Sequence, residues 1–183
     1  MKKRSVTDAI RHRRSVRIQS DRPIEAPLVK ACIENATLAP NSSNMQLWEF
    51  YHITSATAKK EIRAACFNQS AAKTAQQLVI PVVRMDLWET RLKALKQNLI
   101  DQFESAEERN SEKEAKALAY LEKDLPKVYQ KKSWWTTRKE QKEVVKKGKS
   151  KAVYREIGAE NLRIIGHKSV ALAAQNFMVS MAE

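Results

Sequence analysis

Two polar clusters within the first fifty residues carry the side chains best suited to binding a charged ligand. The first is Arg13-Arg14-Ser15-Val16-Arg17, at the end of a short N-terminal helical pattern. Guanidinium groups pair bidentately with phosphate oxygens and stay charged at any working pH. We interpret Arg13, Arg14, Ser15 and Arg17 as a receptor for a phosphate monoester. The structural alternative is that arginines near a helix C-terminus cover its last carbonyls, which explains Ser15 and Arg17 less well.

The second cluster is the segment 39–46, Ala-Pro-Asn-Ser-Ser-Asn-Met-Gln, which joins a predicted helix to a predicted strand. Its amides and hydroxyls supply both donors and acceptors for the polar edge of a ring. We therefore predict that both clusters serve one bound, nucleotide-like cofactor.

The elements that position these clusters follow from apolar spacing and from capping residues. Ser5 and Asp8 form a capping-box pattern that opens a helix through about Arg13. Apolar residues at helical spacing predict a second helix, which Pro40 must end. Ser55 is expected to cap a third helix. Two strands are predicted, at 47–53 and 78–83, although Pro81 favours an edge or a bulge in the second. His52 is interpreted as a hydrogen-bonded strand residue rather than a metal ligand.

The rest of the chain is predicted to be helical and strongly charged. An apolar stripe at spacings of three and four is formed by Trp88, Leu92, Leu95, Leu99 and Phe103, and another helix is expected before Pro126. Trp134 and Trp135 are interpreted as anchors of an amphipathic helix, with stacking on a ligand or nucleobase as the alternative. An amphipathic segment at 156–165 is expected to end at Gly166. A final helix is expected at 169–182, and it is apolar nearly all round. Such a helix belongs in the middle of a domain or at a subunit interface.

Composition restricts the class of protein. A chain of 183 residues is long enough for one domain with its own core. Only 3 glycines argue against a turn-rich barrel and for long helices. No apolar run approaches a membrane span and no signal peptide is evident, so we expect a cytoplasmic protein that does not bind membranes. The formal net charge of +13 is compatible with binding nucleic acid or with a basic surface that attracts anionic cofactors.

Three stretches of the chain resemble the nitroreductase-like FMN-dependent oxidoreductase family. They are residues 10–17 with Pro23-Ile24, the segment 36–50 (ATLAPNSSNMQLWEF), and the segment 169–178 (SVALAAQNFM), which is similar to the central helix of that fold. The resemblance implies an α+β fold of the nitroreductase-like class, helix-rich, with a central mixed or antiparallel sheet flanked by helices. It also implies a buried central helix at the dimer interface. We expect a single domain over 1–183, with a charged helical insertion at about 87–150.

The resemblance further implies a homodimer that binds FMN between its subunits. Arg13, Arg14, Ser15 and Arg17 would hold the phosphate and ribityl chain. The ring of the flavin bound by the other subunit would be approached by Pro40, Asn41, Ser42, Asn44 and Gln46. Asn68 matches a position that contacts the pyrimidine side of the flavin. The expected activity is ping-pong electron transfer, with hydride passing from NADH or NADPH through flavin N5 to a nitroaromatic, quinone or similar small-molecule acceptor. The chemistry would be borne by the cofactor, without catalytic side chains or a metal.

The chain also departs from the family pattern. Leu47 replaces the proline of the usual Gln-Pro-Trp turn, and Ala71 stands where a lysine is common, with Lys73 two residues away. Family members continue beyond the central helix with further strands, so we expect either that the chain is truncated there or that partner chains supply the missing elements. Two alternatives therefore stay open: a flavin-deficient, non-catalytic relative, and a basic nucleic-acid-binding protein. Nucleic acid is not the expected partner, because the excess charge is spread along the chain.

Overall fold

The computed structural model describes residues 4–130, 138, 139, 142 and 159–183. The predicted pair Trp134-Trp135 lies outside the described residues. By their internal contacts the residues form two compact units. The first unit comprises Met1–Asn41, Trp48–Val83 and Ser169–Glu183, and the second comprises Ser42–Leu47 and Arg84–Lys168.

The first unit contains two antiparallel strands and four complete helices within the described residues. The elements are α1 (Val6–His12), α2 (Ala26–Thr37), β1 (Trp48–Ile53), α3 (Ala56–Ala65), α4 (Ser70–Thr74) and β2 (Leu78–Val83). In the sheet Trp48 pairs with Val83 and Ile53 with Leu78. Pro81 is accommodated because both strands of a two-stranded sheet are edges. The antiparallel part of the predicted sheet is thus confirmed, as two strands.

Local capping explains where the short helices of the first unit begin. The Ser5 hydroxyl accepts a hydrogen bond from the Asp8 amide at 3.2 Å, and the Ser55 hydroxyl accepts one from the Ala58 amide at 3.3 Å. Both predicted caps are therefore present. His52 shares a hydrogen bond between its Nε2 and the side-chain oxygen of Gln77, as expected for a strand histidine with a protein partner.

The last helix, α8, runs without interruption from Ala159 to Ala182, so the predicted break at Gly166 is wrong. One glycine costs only about 1 kcal/mol relative to alanine, which is too little to end so long a helix. Residues 159–168 of α8 belong to the second unit and the remainder to the first.

Within the first unit α8 is buried along one side only. Val170 and Ala173 pack with Ala39 and Trp48 in an apolar cluster, whereas Leu172 is 47% exposed and Met178 41% exposed. The prediction of a buried helix is therefore met on one face of α8. At the helix end, the Arg4 guanidinium donates to the Ala182 carbonyl at 3.1 Å.

The second unit is helical within the described residues. It contains α5 (Trp88–Glu104), α6 (Ser111–Ala119), a π-helical turn (Tyr120–Asp124) and α7 (Leu125–Tyr129). Its core consists of Met45, Leu47, Leu121, Leu125 and Tyr129. Four members of the predicted stripe pack against this core: Trp88, Leu92, Leu95 and Leu99.

The helix of the second unit does not end before Pro126, contrary to the prediction. A proline inside a helix lacks an N–H and crowds the carbonyl four residues earlier, here that of Glu122. The structure widens the preceding turn instead, and the Leu125 amide donates to the Tyr120 carbonyl five residues back. The chain therefore remains helical through Pro126 to Tyr129.

Candidate functional site

The arginine cluster follows α1 directly, and its members have different surroundings. The Arg14 guanidinium turns back onto the helix end and donates to the carbonyls of Arg11 and Arg13. Arg14 therefore covers carbonyls at the end of the helix, as the structural alternative for the arginine cluster predicts. Arg13 is half-buried, and Ser15 and Arg17 are exposed. Among the described residues, no carboxylate forms an ion pair with any of the three arginines.

Arg17 opens onto a surface pocket of about 350 Å³ that it lines together with Gln69, Ser70 and Ala71. This volume lies at the lower end of the range for small-molecule sites. The pocket places Arg17 beside the residues that directly follow Asn68, and all of them belong to the first unit. Gln69 and Ser70 were missed in the sequence, where their position directly after Asn68 was the available signal.

The predicted cofactor loops hold unusual backbone conformations. Positive φ angles occur at Ser43 (52°), Asn44 (51°) and Gln46 (48°), and again at Phe67 (54°) and Asn68 (54°). Residues with a Cβ adopt the left-handed region rarely, and such outliers concentrate at functional sites. No other non-glycine residue in the described part of the chain has a positive φ. Three of the ten candidate residues, Asn44, Gln46 and Asn68, are thus among the strained positions.

The remaining candidates lie around the start of the amide-rich segment. Pro40 and Asn41 belong to the first unit, and the side-chain amide of Asn41 donates to the Ala39 carbonyl at 3.2 Å. Ser42, Asn44 and Gln46 belong to the second unit. There the Gln46 side-chain amide donates to the Asn44 side-chain oxygen at 3.2 Å, while Asn44 is exposed. The structure therefore groups the ten candidates as seven in the first unit and three in the second.

No metal-binding cluster of histidine, cysteine, aspartate or glutamate occurs where side chains are described. Over the same residues, none of the helices has the length and apolarity to cross a bilayer.

The sequence profile of the nitroreductase family matches residues 10–183. The chain belongs to the nitroreductase family. This confirms the resemblance seen in the three sequence stretches and extends it across the charged middle of the chain. No curated protein matches the chain significantly.

Solved structures share the fold at low sequence identity. One from Staphylococcus epidermidis, provisionally named an NAD(P)H:FMN oxidoreductase, is 19% identical with a TM-score of 0.68, covering 98% of this chain and 69% of that one. One from Exiguobacterium sibiricum, provisionally named a nitroreductase and solved in complex with FMN, is 20% identical with a TM-score of 0.59, covering 98% and 70%. A nitroreductase family protein from Streptococcus pneumoniae is 18% identical with a TM-score of 0.61, covering 97% and 72%. At these identities the similarity shows the fold alone.

Proposed function

We propose that the protein is an FMN-dependent oxidoreductase that uses NADH or NADPH as electron donor and reduces a small-molecule acceptor. The observation that carries the proposal is the arginine cluster, whose charge no carboxylate of the described residues neutralises, beside the pocket at Arg17. Membership of the nitroreductase family and the FMN complex of the Exiguobacterium relative support the choice of cofactor. FMN carries a phosphate monoester, which is the group that such a cluster binds best.

The chain's own residues would bind and orient the cofactor. Arg13, Ser15 and Arg17 would hold its phosphate and ribityl chain, and Arg14 would join them by leaving the carbonyls that it contacts. Asn68 would reach the pyrimidine side of the ring. Pro40, Asn41, Ser42, Asn44 and Gln46 would reach the ring of the flavin bound by the partner subunit. When bound, FMN supplies the redox chemistry, taking hydride at N5 and passing electrons to the acceptor.

We further propose that the protein works as a homodimer. Exposed apolar side chains support this assignment: Val6 and Ile10 on α1 are 69% and 55% exposed, and Leu172 and Met178 on α8 are 47% and 41% exposed. Exposed apolar side chains mark association sites where they form a contiguous patch. A second copy would cover these side chains and bring the amide-rich loop of one subunit to the flavin of the other.

Steady-state kinetics test the proposed activity. The purified protein, incubated with FMN, should oxidise NADH or NADPH in the presence of menadione or a nitrofuran. Double-reciprocal plots at several acceptor concentrations should be parallel, because donor and acceptor occupy the same place in turn. Light scattering in the same buffer should give twice the chain mass of 21.0 kDa. Failure to oxidise either donor after FMN has bound would refute the enzymatic proposal and favour a non-catalytic relative.

A further inference from the structure

The 42–47 loop, defined as Ser42–Leu47, holds a backbone conformation that two of its residues do not favour. Ser43, Asn44 and Gln46 have φ angles of 52°, 51° and 48°. Asparagine tolerates this left-handed region, whereas serine and glutamine adopt it rarely. Such conformations persist only where the surrounding structure over-determines them. Some other part of the second unit must therefore hold the loop in place.

Apolar packing supplies one part of that restraint. Met45 and Leu47, which alternate with the strained residues, are 2% and 4% exposed. Both pack in the cluster formed by Leu121, Leu125 and Tyr129. Burial of Met45 and Leu47 fixes the backbone on both sides of Gln46.

Two tyrosines supply the other part, one through its hydroxyl and one through its ring. The hydroxyls of Ser43 and Tyr120 lie 2.7 Å apart and are hydrogen bonded. Tyr129 is 4% exposed and stacks on Trp88, with ring centroids 6.0 Å apart and planes 11° apart. The Tyr129 ring belongs to the same core cluster as Met45 and Leu47, so it restrains the loop by packing.

The π-helical turn explains how one helical segment presents both tyrosines. Tyr120 is the first residue of that turn, and Tyr129 ends the helix that follows it. The wide turn lets the helix continue past Pro126, so the chain reaches Tyr129 without leaving the core of the second unit. Wide turns of this kind occur frequently at functional sites.

We propose that Tyr120 and Tyr129 are positioning residues that hold the 42–47 loop in its left-handed conformation and so orient Asn44 and Gln46 toward the cofactor. The charged helical segment is then a support for the binding loop rather than an insertion without a role. The orientation toward FMN rests on the proposed function, but the restraint on the loop does not.

The first experiment measures the loop itself, in protein freed of flavin. The Met45 amide donates to the Ser42 carbonyl at 3.1 Å, so its hydrogen exchange reports on opening of the loop. Tyr120→Phe should accelerate this exchange by roughly two- to tenfold, the effect of one lost hydrogen bond. Tyr51→Phe is the matched control, because it removes a hydroxyl that is hydrogen bonded to Glu49 on β1 in the first unit. Unchanged exchange at Met45 in Tyr120→Phe would overturn the proposal.

The second experiment measures the orientation, in protein saturated with FMN. Tyr120→Phe should weaken FMN binding by roughly two- to tenfold and shift the flavin absorption band or midpoint potential, while Tyr51→Phe changes neither. A faster Met45 exchange with an unaltered flavin spectrum and affinity would overturn the positioning role. If the unaltered protein binds no FMN, the proposed function fails, and the exchange experiment still decides whether Tyr120 restrains the loop.

A substitution in the 42–47 loop itself controls for a folding defect caused by substitution of a tyrosine. Ser43→Ala removes the partner of Tyr120 from an exposed hydrogen bond and leaves the core intact. It should accelerate Met45 exchange as much as Tyr120→Phe does. The Ser43→Ala/Tyr120→Phe pair should show no further acceleration, because both changes delete one interaction. Additive effects would contradict a direct contact.

Discussion

Replacement of Arg17 by alanine should weaken FMN binding through its phosphate and leave riboflavin binding unchanged. Arg17 lines the pocket with Gln69 and Ser70, and none of the described residues holds it in an ion pair. A hydrogen bond to a charged group contributes about 1.5–3 kcal/mol. Arg17 is exposed and must lose hydration on binding, so we expect the lower end of this energy range. A loss of about 1.5 kcal/mol of binding energy corresponds to about a tenfold increase in Kd.

Isothermal titration of the flavin-free protein with FMN and with riboflavin measures this effect. The two ligands share the ring and the ribityl chain and differ in the phosphate, so they separate phosphate contact from ring contact. Arg22→Ala is the matched control, since it removes the same charge from another exposed position in the first unit. Its effect should stay below about twofold at physiological salt, where charges are screened beyond about 8 Å.

Two results would refute the reasoning about Arg17. Equal losses of FMN and riboflavin affinity would show that Arg17 supports the fold or the ring site instead of the phosphate. A loss for Arg22→Ala as large as that for Arg17→Ala would show that only net charge matters. The melting temperature of the flavin-free Arg17→Ala protein should match that of the unaltered protein, because no ion pair is lost.

Further predictions concern stability. Arg14→Ala should lower the free energy of unfolding of the flavin-free protein by about 0.5–1 kcal/mol, since Arg14 donates to two carbonyls at the end of α1; urea titration should show no such loss for Arg17→Ala. Leu125→Ala, at a side chain only 2% exposed, should cost about 2–5 kcal/mol in the same assay, and a loss under 1 kcal/mol would contradict its place in the core. The Arg109 guanidinium, which donates to both carboxylate oxygens of Glu114 at 3.2 and 2.6 Å, lowers the pKa of Glu114. A carboxyl with a lowered pKa stabilises the folded state above its unfolded pKa, and that contribution is lost as pH falls below about 4.3. Thermal melts from pH 7 to pH 3 should therefore show a smaller acid-induced decrease for Glu114→Gln than for the unaltered protein, and identical decreases would contradict the assignment.

The regular elements could be predicted from the sequence because their signals are local. Ser5 and Ser55 each begin a helix at the predicted residue. Two alternating, largely apolar sets predicted the first strand and a continuous apolar run predicted the second, both within one residue of their bounds. The apolar stripe that starts at Trp88 packs in a core as its spacing required.

The features that sequence reasoning missed depend on contacts between distant residues. The residue types at Ser43 and Gln46 do not indicate a positive φ. The loop adopts this conformation because Met45 is buried and because it contacts tyrosines more than seventy residues away. Pro126 and Gly166 are local signals for ending a helix, and in both cases tertiary packing prevailed over them. Before Pro126 one helical turn is widened, and no residue pattern in that segment indicates such a turn.

The residues of the candidate site were predictable from the sequence to different extents. The alternative structural role of arginines at a helix end applies to Arg14, which contacts carbonyls, and to neither Ser15 nor Arg17. Asn68 was identified through the family resemblance, and the pocket at Arg17 that lies beside it was not. A pocket requires the convergence of two chain segments about fifty residues apart, which spacing along one segment does not encode.

Binding of FMN can be measured from the visible absorption spectrum of the purified protein. After incubation with excess FMN and removal of free ligand by gel filtration, the protein should show the absorption bands of oxidised flavin. About one FMN should be retained per chain and released as intact FMN on denaturation. A folded protein that emerges colourless from the column, with no flavin retained at any FMN concentration tried, would contradict the claim that the arginine cluster binds the phosphate of a flavin nucleotide.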